Sequence, residues 1–129
     1  MAEKDVIRTD RAPGPFQGAP YNQAIRVGDL VFVAGQLGVS LETGELAGAG
    51  VAEQTEQIML NLGAILEAAG SGLDKLVKTT VFLMDLSDFG GMNDVYAKHV
   101  GDRPPARSTV QISRLPSGAV VEIEAVAHV

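Results

Sequence analysis

The chain has 129 residues, no cysteine, 46% apolar and 20% charged residues, which suits one soluble domain with a real core. Its 16 acidic against 10 basic residues leave a formal charge of −6, which argues against a general nucleic-acid binder because neutralising phosphates takes clustered Lys and Arg. The missing cysteines exclude a disulfide framework, a thiol nucleophile and a zinc ribbon.

The opening MAEKDVIRTD is mixed in charge and lacks the apolar run of a secretion signal. Nowhere do about eighteen apolar residues run together as a membrane helix would need. A cytoplasmic protein with no membrane partner is therefore expected. One domain is expected over residues 1–129, with 1–20 forming an N-terminal strand, at Val6 to Thr9, and a Pro/Gly-rich loop, RAPGPFQGAP. Tyr21 then begins a strand, Ile25 and Val27 alternate with polar or small residues, and Gly28-Asp29 signals a short hairpin. Leu30 to Val33 is a continuous β-type run that suggests burial on both faces.

LETGELAGAG (41–50) reads as a turn and a flexible approach to the clearest helix. There Val51, Thr55, Ile58, Leu62, Ile65 and Ala69 recur at helical spacing on one face, and Gly70 is placed to end the helix in left-handed geometry. LVKTTVFLMDL (76–86) is rich in β-branched residues and predicts a strand. SDFGGMNDVYAKHVG predicts a weaker second helix, capped by Ser87 or Asp88, with Phe89, Met92, Tyr96 and Val100 as its apolar stripe. Its Gly90 and Gly91 suit the first turn, or a site where another backbone comes close. ARSTVQIS and AVVEIEAVAHV predict two last strands joined by RLPSG. Two helices cover one face of such a sheet, so the other face, still apolar, calls for a second copy of the chain.

Few residues are poised for chemistry. Arg107 follows Pro104 and Pro105, which stiffen the lead-in to its strand. Its planar fork matches a carboxylate, but spacing alone favours a surface charge. Glu122 and Glu124 share one strand face at about 7 Å, opposite Val121, Ile123 and Ala125. Either could deprotonate a water, or they are a solvated face or partners of Arg107 or Arg114. Asn93 reads as a helix-surface amide and Tyr21 as a core cap or a cleft hydroxyl. Met59, Met84 and Met92 read as core or interface filler. His99 and His128 have no second ligand at metal spacing, and no phosphate-binding glycine motif or nucleophile elbow is present.

Three stretches, YNQAIRVGDLVFVAGQLGV, VKTTVFLMDLSDFGGMNDVYAKHV and PPARSTVQISRLPSGAVVEIEAVA, strongly resemble the RidA/YjgF family of enamine/imine deaminases over nearly all of residues 20–128. The resemblance implies an α+β, chorismate-mutase-like fold, with two helices on one face and the sheets of a homotrimer closing a central barrel with intersubunit clefts. It implies cofactor-free hydrolysis of 2-imino and 2-enamino acids, such as 2-aminoacrylate, 2-iminopropanoate and 2-iminobutanoate, to 2-keto acids and ammonia, as metabolite damage control. By the same resemblance Arg107 takes the substrate carboxylate, Glu122 positions the attacking water, and Tyr21, Thr109 and Asn93 lie near the ligand. Ala34 and Gly35 match a Ser-Gly pair beside the substrate, Ala34 without the serine hydroxyl, and Ala19 replaces a glycine common before Pro-Tyr. A trimer that only binds small carboxylates is the alternative; a ribonuclease role fits poorly with the acidic chain.

Overall fold

The structure, a computed structural model, describes residues 3–129. Six strands and two α-helices follow in the order β1 (Lys4–Ile7), β2 (Ala24–Val27), β3 (Leu30–Leu37), α1 (Val51–Ala68), β4 (Leu76–Leu83), α2 (Phe89–Val100), β5 (Ala106–Gln111) and β6 (Val121–His128). They form one mixed sheet in the order β1-β2-β3-β6-β4-β5, antiparallel except for the parallel pair β4·β5 that α2 connects. The expected α+β class and the arrangement of two helices and a sheet are present. β1 lies earlier than the Val6–Thr9 prediction, and Tyr21 stands in the loop before β2 rather than starting a strand. The hairpin at Gly28-Asp29 is present: Val27 pairs with Leu30, and Gly28 takes φ +59°.

α1 forms where the apolar spacing placed it. Thr55, Ile58, Leu62 and Ile65 are buried, and Gly70 follows at φ +82°. Glu53 reaches back to accept from the Gly50 N–H at 3.1 Å, which satisfies one of the free amides of the first turn. In α2, Met92, Tyr96 and Val100 are buried, but Phe89 is exposed. Neither Ser87 nor Asp88 caps α2 with its side chain; the Asp85 carboxylate accepts from Ser87 N–H at 2.9 Å and holds the turn before it. Gly90 and Gly91 do fall in the first turn, and a Cβ on Gly91 would come 3.0 Å from Val51 Cγ1.

The core lies between the helices and one sheet face, where Val31, Val33, Val81, Leu83, Val121, Ile123 and Ala127 meet Ile58, Leu62, Ile65 and Met92. The other face is open in the single chain. Leu30 and Phe32 are 41% and 45% exposed, so the run at 30–33 alternates instead of burying both faces, and Val110 on the edge strand β5 is 42% exposed. Four buried amides tie the loops to this frame. Gln23 donates to the carbonyls of Thr9, Ala12 and Pro13 and accepts from Thr9 N–H. Gln54 donates to Gly48 O and accepts from Val120 N–H, Asn61 donates to Val39 O, and Gln36 donates to Ala34 O. The 41–50 segment, read as a flexible approach, is folded back by the Val39–Leu46 bridge.

Candidate functional site

Arg107 is the second residue of β5, in register with Thr79 on β4, so it projects from the helix-bearing face. Its half-buried guanidinium lies over the Tyr96 ring at 4.9 Å and over Phe89 at 5.4 Å. Its Nη1 points at Met92 Sδ, 4.0 Å away. Among the described residues no carboxylate pairs with it, neither Glu122 nor any other. That is notable in a chain with more acidic than basic residues. Aromatic faces hold a guanidinium through their quadrupole and leave its N–H groups free in the ring-parallel plane. Thr109 lies two residues along on the same strand face, half-buried. Asn93 on α2 is half-buried as well, with its Oδ1 out of solvent and without a partner among the described residues. It is not the surface amide its spacing suggested.

Glu122 stands on β6 opposite Leu37 of β3 and Phe82 of β4. Alternation puts it on the open face, while Val121 and Ile123 enter the core. The register of β3 shifts between Val33 and Gln36, and the bulge carries Ala34 and Gly35. Here the carboxylate rests on bare backbone: a Cβ at position 35 would sit 2.9 Å from Glu122 Cδ and 3.1 Å from Oε2. Burial holds the Glu122 carboxyl above the usual carboxylate range, and the charge of Glu124 adds to this.

A cleft of about 880 Å³ opens beside Glu122, with Phe16, Tyr21, Gly35, Leu37, Pro116 and Ser117 in its walls. The Tyr21 hydroxyl accepts from Phe16 N–H at 2.6 Å, which pins the loop that forms one rim. Gln17 and Ser117, at φ 53° and 58°, are left-handed without being glycine, and both border this cleft. Such strained positions cost of order 1 kcal/mol or more and gather at functional sites.

The candidate residues therefore fall into two groups. Tyr21, Gly35 and Glu122 border the cleft, with Ala34 beside Gly35 in the same bulge. Arg107, Thr109 and Asn93 lie around the start of β5 and α2. Within one chain Arg107 and Glu122 do not converge. β4 separates their strands, and Arg107 shares a face with Thr79 whereas Glu122 shares the opposite one with Phe82. Sequence reasoning treated Tyr96 and Phe89 only as core stripe and missed them as the seat of Arg107. It also passed over Gln54 and Asn61, although polar residues falling within the α1 apolar face were a visible signal. Among the described residues no cluster of His, Cys, Asp and Glu could hold a metal, and no helix is long and apolar enough to cross a membrane.

Known proteins resemble this chain throughout. The family model described as Endoribonuclease L-PSP matches residues 11–129. A RutC family protein of Pyrococcus abyssi is 48% identical over 125 residues, 97% of this chain and 97% of that protein. The 2-iminobutanoate/2-iminopropanoate deaminase of Homo sapiens is 43% identical over 122 residues, 95% of this chain and 88% of that protein. The crystal structure of RidA from an Antarctic Psychrobacter species superposes with a TM-score of 0.91 at 44% identity, covering 97% of this chain and 99% of that one.

Proposed function

The chain belongs to the Endoribonuclease L-PSP family, the RidA/YjgF family, and from that premise we propose that it hydrolyses small 2-imino and 2-enamino acids to 2-keto acids and ammonia. The observation that carries the proposal is Arg107: a guanidinium seated on two rings, with its fork free of any carboxylate among the described residues. A small ligand bearing a carboxylate supplies the missing partner through two parallel charge-assisted hydrogen bonds. The similarity to a named imine deaminase supports the reaction.

The chemistry needs little beyond orientation and a proton carrier. The imine carbon is already electrophilic, so no covalent nucleophile or cofactor is called for; an enamine first takes a proton on its terminal carbon to become the imine. With the imine protonated on nitrogen, Glu122 accepts a proton as water adds to the imine carbon, giving a neutral carbinolamine. Glu122 returns that proton to the nitrogen, and as the C–N bond breaks the hydroxyl gives its own proton to the Glu122 carboxylate, so that ammonia leaves a 2-keto acid. A carboxyl held above the usual range carries protons both ways more readily near neutrality than an ordinary glutamate. Tyr21, Gly35 and Ala34 shape the water side, Thr109 and Asn93 the carboxylate side.

Because Arg107 and Glu122 face opposite sides of one sheet, both act on one ligand only if different copies of the chain supply them. The exposed Leu30, Phe32 and Val110 favour the same assembly, since apolar residues on an open sheet face gain by being covered. We take the assembly to be a homotrimer, as the resemblance implies, with the cleft between neighbours.

The test generates 2-aminoacrylate with a pyridoxal-phosphate dehydratase and traps the surviving imine as its semicarbazone. Adding this protein lowers the trapped product as ammonia and 2-keto acid appear faster. Unchanged trapping with tight 2-keto acid binding would leave a carboxylate-binding trimer instead.

A further inference from the structure

Resting on the reading of Arg107 as the carboxylate clamp, we propose that Thr79 and Tyr96 are positioning residues that set the plane of its guanidinium. The parallel register of β4 and β5 puts Thr79 beside Arg107 on the helix-bearing face. α2 brings Tyr96 above both. Its hydroxyl and Thr79 Oγ1 are 2.6 Å apart, and its ring centre is 4.9 Å from Arg107 Cζ. Thr79 is fully buried and Tyr96 nearly so. Burial also raises the Tyr96 phenol above its ordinary value, so it stays neutral and hydrogen-bonding over the working pH range.

What makes this arrangement directional is the softness of everything else around the guanidinium. Its neighbours are two rings and a thioether, and the oxygen its N–H groups interact with is the Tyr96 hydroxyl, itself held by Thr79. Phe89, the second ring, is exposed and has no hydrogen-bonding group of its own. Tyr96 is therefore the one neighbour whose own orientation is fixed by a short bond into the sheet. A guanidinium stacked on a fixed ring keeps its fork in one plane, and bidentate recognition depends on that plane. Thr79 acts through Tyr96, and Tyr96 through Arg107; neither needs to touch the ligand.

The bond could instead serve only to fasten α2 to the sheet, and the test separates these roles. The double variant Thr79→Val/Tyr96→Phe removes both polar groups at nearly constant volume, so no buried hydroxyl is left unpaired. The first readout is the order parameter of the Arg107 Nε–Hε group, measured by 15N relaxation without ligand. In the native protein it stands close to rigid-backbone values, about 0.85, and in the double variant it falls below about 0.6. Thr79→Ser, which keeps the hydroxyl, stays at the native value. Should the double variant fail to fold, Tyr96→Phe alone gives the same readout.

The second readout is a mutant cycle on affinity for 2-oxobutanoate. Arg107→Lys weakens binding about tenfold or more in the native background and less than about threefold in the double variant, because the oriented fork is already lost. An unchanged order parameter together with an equal Arg107→Lys effect in both backgrounds overturns the proposal. If the native protein neither binds 2-oxobutanoate nor consumes imine, the functional reading fails, and the order parameter still decides whether Thr79 and Tyr96 position Arg107.

Discussion

Adding one methyl group at Gly35 is expected to separate the proposed catalysis from stability. A Cβ there would stand 2.9 Å from Glu122 Cδ and 3.1 Å from Oε2, where ordinary contact begins near 3.4 Å, so the carboxylate must retreat by about 0.5 Å. The retreat is mechanically easy, since the crowded atoms are the far end of a rotatable side chain. Gly35 does not have a positive φ, so alanine brings no backbone strain. Crowding of this kind costs roughly 1 kcal/mol, and the smaller unfolded-state entropy of alanine returns about 0.4–1 kcal/mol. The net change lies within about 1 kcal/mol, a shift of about 4 °C or less in Tm. Catalysis is less forgiving, because a reacting group about 1 Å out of place costs on the order of 100-fold. Half that displacement, scaled logarithmically, gives about tenfold. Gly35→Ala is therefore expected to lower kcat for imine hydrolysis about tenfold, read by semicarbazide trapping, with Tm by circular dichroism nearly unchanged. A kcat within about twofold of native in a folded variant would show that Glu122 is not held by this contact for chemistry.

Two further outcomes follow from the placement of the charges. Arg107→Ala and Glu122→Gln are each expected to be nearly inactive. If clefts form between copies, unfolding and reassembling an equal mixture restores about a quarter of native activity, since random assembly pairs an intact Arg107 with a neighbour's intact Glu122 in that fraction of clefts; no recovery in properly reassembled oligomers refutes the composite cleft. As the proposed proton acceptor Glu122 has to be ionised, so activity is expected to rise with pH through its elevated pKa. Glu124→Gln removes the second of the two causes and shifts the acid limb of the kcat/KM profile to lower pH, still above the ordinary glutamate range because burial remains. The same elevation gives Glu122 a stabilising contribution that is present below its unfolded pKa and lost as the pH rises through its folded one. Glu122→Gln is accordingly more stabilising, relative to native, at pH 7 than at pH 4, which thermal melts at the two pH values check.

Local patterns in the sequence determined most of the elements. The alternation of Val121, Ile123 and Ala125 against Glu122 and Glu124, the apolar stripe from Thr55 to Ile65 and the Gly28-Asp29 turn all report backbone geometry over a few residues, and such geometry is set by neighbours in the chain. The stiff lead-in at Pro104 and Pro105 was legible in the same way, whereas Arg107 and Glu122 stood out as candidates by residue type and took their proposed roles from the family resemblance. Only the tertiary structure decided which face each residue took relative to the others. Arg107 and Glu122 look away from each other because β4 lies between their strands, in parallel register with one and antiparallel with the other. Leu30 and Phe32 sit on the uncovered face, and Tyr96 serves as a seat for Arg107, because the β3·β6 and β4·β5 pairings and the packing of α2 join residues far apart in sequence. Register between distant strands is chosen by the summed packing of the whole core, and no short window of residues contains that sum.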